Sequence, residues 1–231
     1  FWQIVHAIQS RKEAGRNMTL LFELVKRDEQ RIERKLGKPL KGLKMLEIGV
    51  GQGMERARYF GIENTVIGMD LDVIPTGFDL AGYFRLIRRN GPGRFFKTVG
   101  RKLIVAGPNR SGWYRAVGRK AMKNPEILNG DICETIPARE EFDVAMSWSV
   151  FEHLPDPERA LDHMIQALRP GGVLFTSIHL YTSNNGHHDI RAFTGGESEL
   201  PAWGHLRPQM RDRIHPSSYL NRWPVSYTHL R

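Results

Sequence analysis

Met45-Leu46-Glu47-Ile48-Gly49-Val50-Gly51-Gln52-Gly53 decides how this chain is read. The apolar run Leu43 to Ile48 predicts a buried strand. It runs into three glycines at every second position, and Met54 to Phe60 then follows a helical pattern. Glycines at a strand-to-helix turn permit φ > 0 and let a ligand approach where a Cβ would stand in the way. The helix start behind them presents unsatisfied N–H groups. Strand, turn and helix predict a nucleotide-type pocket at the carboxyl end of a parallel strand. A dinucleotide fold asks for G-x-G-x-x-G/A with a small third residue. Here the spacing is G-x-G-x-G and Met54 holds that third place, which disfavours a nicotinamide enzyme.

Outward from this stretch an α/β rhythm follows. Thr65–Met69 closes on Asp70 as a second strand, Glu126–Asn129 is a third, Phe142–Ser147 a fourth and Gly172–His179 a fifth. A helix is expected between the last two, with Asp156 as N-cap and Pro157 at its first position. Leu161, Met164, Ile165 and Leu168 mark its apolar face. Strands alternating with helices imply a parallel sheet with right-handed crossovers.

Acids and polar residues stand at the strand ends. Asp70 lies 17 residues after Gly53, where a carboxylate can accept two hydrogen bonds from ribose hydroxyls. Gly130-Asp131-Ile132 follows the third strand, Ser147-Trp148-Ser149-Val150-Phe151-Glu152-His153-Leu154 the fourth, and Leu168-Arg169-Pro170-Gly171-Gly172 precedes the fifth. Together with Glu47 two residues before Gly49, these four landmarks over residues 40–180 resemble the class I S-adenosylmethionine (SAM) dependent methyltransferases. The likeness is greatest to their small-molecule branch with Glu-His-Leu after strand four. The resemblance implies a Rossmann-like methyltransferase fold and SAM as cofactor. Glu47, Gly49, Gly51 and Gly53 would form the glycine turn, Asp70 and Leu71 the ribose side, and Asp131, Ile132 and Ser147 the remaining cofactor contacts. Asp131 would take the adenine amino group. The family's sixth and seventh strands cannot be placed before Trp223.

The chemistry so implied is displacement at the methyl carbon of a sulfonium, whose reactivity the cofactor brings. Proton removal suits histidine. His153 and His179 fall near the ends of strands four and five, and His187, His188 and Asp189 lie in the polar loop that follows. These four histidines are the catalytic candidates. For the loop pair, substrate contact stands beside ordinary loop polarity. No metal is expected, because adjacent histidines point apart in an extended chain.

Two regions depart from the family pattern. Residues 1–40 read as a helical arm in two segments, with Asn17 or Thr19 capping the second and Gly37-Lys38-Pro39 ending it. Residues 75–125 are too long for one crossover. They hold twelve Lys and Arg against the single acid Asp79, a local net of +11 in a chain of net +9. Phe95, Phe96, Trp113 and Tyr114 stand among those cations. The pattern predicts short basic amphipathic helices broken at Asn90-Gly91-Pro92-Gly93 and Gly107-Pro108-Asn109. Such segments fit an anionic membrane surface or a lipid-linked acceptor. RNA satisfies the same charges and is the weaker expectation.

Domain organisation follows: arm 1–40, methyltransferase domain 41–223 with insert 75–125, and Pro224–Arg231 as a non-native tail resembling a translated adaptor end. A genuine polar tail is the alternative. With 231 residues and 40% apolar content, one α/β core is expected. The single cysteine, Cys133, excludes an internal disulfide and reads as buried filler. The chain starts at Phe1, so a preceding segment is expected, and the default location is cytoplasmic with a membrane-peripheral variant. The function expected is methyl transfer to a small, anionic or lipid- or glycan-linked acceptor. The rivals are an RNA methyltransferase and a catalytically silent SAM-binding peripheral membrane protein.

Overall fold

The computed structural model describes residues 2–72, 107–180, 182–183, 186 and 203–213, with only the backbone for 2–12 and 211–212. The chain opens with one helix, α1 (Trp2–Leu36). Two segments were expected, but Thr19 does not cap a new helix. Its hydroxyl donates to the carbonyl of Gly15 one turn back, at 3.1 Å, and the helix runs through. A glycine inside a helix costs about 1 kcal/mol. The stripe Ala14, Met18, Val25 and Ile32, all buried on one face, outweighs it. Gly37 ends α1 at φ +74, donating its N–H to Glu33.

Five strands follow: β1 (Lys44–Ile48), β2 (Thr65–Asp70), β3 (Glu126–Asn129), β4 (Phe142–Trp148) and β5 (Leu168–Ser177). Between them run α2 (Glu55–Phe60), α3 (Gly107–Val117) and α4 (Pro157–Ala167). Every neighbouring pair is parallel, in the order β3-β2-β1-β4-β5. Strand order reverses beside β1, so a crevice opens over the carboxyl ends of β1 and β4. The fifth strand differs from expectation at both ends. It pairs first through Leu168, bulges over Arg169–Gly172 with Gly171 at φ +79, and rejoins β4 at Val173. It stops at Ser177 rather than His179. Among the described residues after β5 the helical elements are two 3-10 turns, Gly204–Leu206 and Pro208–Arg213, and no strand follows.

Helices cover both faces. Against one, α1, α2 and α3 bury Val25, Ile32, Phe60 and Trp113 over Met45, Val144 and Met146. Gly112 of α3 lets the two helices meet: a Cβ there would stand 3.1 Å from the Ala14 carbonyl oxygen. Gly107-Pro108-Asn109, expected as a break, is the start of α3, where proline's missing N–H costs nothing. Trp113, expected among aromatics facing a membrane, is fully buried, edge-on to Phe22 and Tyr59. Of the rest of the expected basic surface, Arg110, Arg115, Arg119, Lys120 and Lys123 are exposed and Tyr114 is half-buried, while Phe95, Phe96 and the other seven cations lie outside the described residues.

The other face is covered by α4. Asp156 caps it, accepting the Arg159 N–H at 3.0 Å, with Pro157 next. The buried stripe is Ala160, Met164 and Ala167; Leu161 and Ile165, expected on that face, are exposed. Cys133 is filler here, as expected, its thiol donating to the Asp156 carbonyl.

Candidate functional site

The crevice is floored by the turn between β1 and α2. Gly49 and Gly51 sit at φ +72 and +67, where L residues rarely go. They differ in surroundings. A Cβ on Gly49 would run into Val150, so that glycine serves packing. A Cβ on Gly51 would meet no described atom within 4 Å and faces open space. Met54 closes the turn in the left-handed region, φ 52, with its side chain buried. A non-glycine residue held there is strain of the kind that collects at functional sites. The Gly53 carbonyl accepts a 2.6 Å bond from Arg58 Nη1, and Arg58 Nε and Nη2 both donate to Asn124 Oδ1. Arg58 therefore pins the turn to the segment before β3.

Two carboxyls stand under this turn. Glu47, central in β1 between Gly68 of β2 and Met146 of β4, is buried. Its Oε2 has no hydrogen-bond partner among the described residues. Burial pushes its pKa up to about 8; the nearby Arg56 charge opposes that shift, while Glu55 and Asp70 add to it. Asp70 ends β2. Its Oδ2 accepts the Gly51 N–H at 3.0 Å and its Oδ1 the Asp72 N–H at 2.9 Å. Burial raises its pKa and those two bonds restrain the rise. Each oxygen keeps a further lone pair. Leu71 beside it is exposed.

The β3 side is tied in by Asn129, whose amide donates to the carbonyls of Asp70 and Leu71. Asp131 organises the next turn: its Oδ1 accepts the Cys133 N–H at 2.8 Å, and its carbonyl accepts from Glu134 and Thr135. Ile132 is buried, its carbonyl taking the ring N–H of His163. Ser147 pairs with Ile48 and Thr176, sealed inside the sheet, its hydroxyl without a partner among the described residues.

At the end of β4 the chain turns at Ser149, φ 53, and enters the 3-10 turn Phe151–His153. The Ser149 N–H donates to the Ser177 carbonyl, locking this corner to β5. Glu152 is buried and its Oε1 accepts the His179 N–H at 3.3 Å; burial raises its pKa. His153 is pushed down, first by burial and then by the charge of His179. The structure thus brings His153 and His179 together at one rim. His187 and His188 lie outside the described residues. Among the described residues no cluster of three or more His, Cys, Asp or Glu side chains is placed to hold a metal.

Sequence reading passed over Arg56, Arg58, Trp148 and Glu152. Glu152 was visible within its motif beside His153. The two arginines fall in a short helix that offers no signal beyond its charge.

A parallel sheet in this order, with a glycine turn over two acids at its switch point, defines a Rossmann-like fold of the methyltransferase type. A family model described as Methyltransferase domain matches residues 20–223, and the chain belongs to that family. No curated protein sequence matches it. Among solved structures it is similar to phosphoethanolamine N-methyltransferase 2 of Haemonchus contortus in complex with phosphomonomethylethanolamine and S-adenosylhomocysteine, at 24% identity and TM-score 0.39, covering 65% of this chain and 27% of that one. It is similar to an arsenic(III) SAM methyltransferase of Chlamydomonas reinhardtii at 23% identity and TM-score 0.35, covering 59% and 38%. A SAM-dependent methyltransferase of Mesorhizobium loti is similar at 22% identity and TM-score 0.35, covering 59% and 46%. The chain therefore spans less than half the length of each of these three structures.

Proposed function

We propose that this chain binds SAM over the glycine turn and transfers its methyl group to a small anionic acceptor. The observation that carries the reading is the pairing of two buried-side carboxyls with an open glycine. Glu47 has an oxygen lacking a partner, suited to an ammonium; Asp70 has lone pairs left for a diol; Gly51 leaves room above both. By the family pattern Asp131 and Ile132 are assigned to the adenine side, and Ser147 is a further cofactor contact.

When bound, the cofactor supplies an electrophilic methyl group on a good leaving group. The protein's part is alignment, exclusion of water and acceptance of a proton. His153, kept neutral by burial, is a base at neutral pH and shares its rim with His179. His187 and His188 remain assigned to the acceptor side.

The anionic acceptor is supported by the twelve cations against one acid in residues 75–125. A lipid- or glycan-linked molecule at an anionic membrane surface is the acceptor proposed ahead of RNA, although RNA would satisfy the same charges. No described helix is long and apolar enough to cross a membrane. The test is transfer from labelled SAM to lipid, glycan and RNA fractions. Label in lipid or glycan is the expected result. Label in RNA alone overturns the acceptor, and no label with no SAM binding by calorimetry overturns the reading as a whole.

A further inference from the structure

Three side chains, Asp28, Trp148 and Arg56, form a chain of contacts from the N-terminal helix to the helix that follows the glycine turn. Asp28 of α1 accepts the indole N–H of Trp148 at 2.8 Å. Asp28 also meets Arg31 at 3.5 Å. Trp148, at the end of β4, is buried and stacked on Phe60 at 6.1 Å and 15°, with Phe175 at 5.6 Å on β5. The Arg56 guanidinium lies over the Trp148 ring, 4.9 Å from its centroid. Arg56 is the opposing charge that acts on Glu47, and the acids acting on Arg56 are Glu47, Asp28 and Glu55. Its Nε has no hydrogen-bond partner among the described residues, so stacking on Trp148 is what fixes the guanidinium plane.

We propose that Asp28 and Trp148 are positioning residues which hold Arg56 beside Glu47, so that the N-terminal helix sets how well the pocket receives a cationic ligand. The physical reason is simple. Glu47 is sealed from water, and a buried carboxyl ionises only if a cation stands near it. A cationic ligand group binds an ionised carboxylate better than a neutral acid, so a cation that eases Glu47 ionisation favours it. Arg56 itself is partly desolvated and needs a fixed seat to act at that range. Trp148 is that seat, and Asp28 stops the indole from turning. The charges that act on Glu47 are Arg56, Glu55 and Asp70, not Asp28. The contacts that lead from Asp28 toward Glu47 run through Trp148 to Arg56. This deepens the cofactor reading, on which its functional meaning rests, but it is testable without the cofactor.

The experiment is a carboxyl-13C NMR titration of the ligand-free full chain with labelled glutamate. The Glu47 signal is assigned by its absence in Glu47→Gln. In Arg56→Gln the Glu47 midpoint should rise by about one pH unit or more, a tenfold change in its ionisation equilibrium. Asp28→Ala and Trp148→Phe should each move it upward by less, and Asp28→Ala should add nothing in an Arg56→Gln background, since coupled residues are non-additive. If Arg56→Gln does not fold, Asp28→Ala and Trp148→Phe carry the same test. An unchanged midpoint in the folded variants overturns the proposal, as does a full further shift in the double variant. Calorimetry with SAM on the parent chain is run alongside. Absence of binding there sinks the cofactor reading, while the titration still decides the Asp28–Trp148–Arg56 relay.

Discussion

The backbone N–H of Gly51 donates to Oδ2 of Asp70 at 3.0 Å, so the turn after β1 and the acid ending β2 are joined before any ligand arrives. Asp70 therefore shapes the turn as well as offering lone pairs to a diol. Asp70→Ala should lower SAM affinity at least about tenfold, since hydrogen bonds to a charged group are worth roughly 1.5–3 kcal/mol each. A 2′-deoxy analogue should lose affinity for the parent and little more for the variant. Calorimetry with both ligands checks this, and equal sensitivity of the two proteins to the deoxy change would refute the pairing.

Gly49 and Gly51 share a left-handed backbone but should fail differently when replaced. Gly51→Val meets open space and costs about 1–2 kcal/mol of backbone strain, with SAM binding abolished. Gly49→Ala collides with Val150 and should lose stability first. Urea unfolding and calorimetry on both variants separate the two outcomes. Normal SAM affinity in Gly51→Val would remove the cofactor from this turn.

Glu47 has a folded pKa of about 8 against an ordinary 4.5. Between those values the native state holds a proton that the unfolded chain has released. Stability attributable to this group is therefore highest below pH 4.5 and falls as pH rises toward 8, by up to about 1.4 kcal/mol per unit. Glu47→Gln should flatten the stability curve over that window and be more stable than the parent at pH 8. Denaturation midpoints at pH 5, 6.5 and 8, conditions set for this comparison and spaced by roughly one to two units, reveal it. Parallel curves for the two proteins would show that Glu47 stays ionised.

Arg58 is a buried cation with three donors in use, one on Gly53 and two on Asn124. Arg58→Met should cost about 3 kcal/mol. Arg58→Lys should recover little of it, because an ammonium cannot span both acceptors as the planar fork does. Guanidinium unfolding of the three proteins gives the comparison, and full recovery by lysine would show that charge alone matters.

The strands and the pocket were legible because their signals are local. Apolar runs such as Phe142–Ser147 and glycines such as Gly51 act within a few residues of themselves. What escaped depends on contacts made far along the chain. Trp113 looked like an interfacial aromatic because it stands among cations, yet α1 covers it through Phe22. Gly107-Pro108-Asn109 carries turn chemistry that serves equally at a helix start. Leu161 and Ile165 fit an apolar periodicity, but the face that α4 buries runs through Ala160, Met164 and Ala167 and leaves the larger pair exposed. The seat of Arg56 joins Asp28 to Trp148 across most of the domain, a pairing no spacing rule foretells.

The register of the central strands also bears on how the chain is made. Met45 of β1 pairs with Val66 on one side and with Val144 on the other. Synthesis proceeds from the N-terminus at about 5–20 residues per second, so the first neighbour is available within seconds. The second emerges only after the whole 75–125 region has been translated. Through that interval the β4-facing edge of Met45–Ile48 has no strand to pair with, and unpaired apolar edges recruit other chains. The long basic region thus sets a waiting time. A nascent chain arrested before Trp148 should depend on a chaperone, and one released after Ser177 should not.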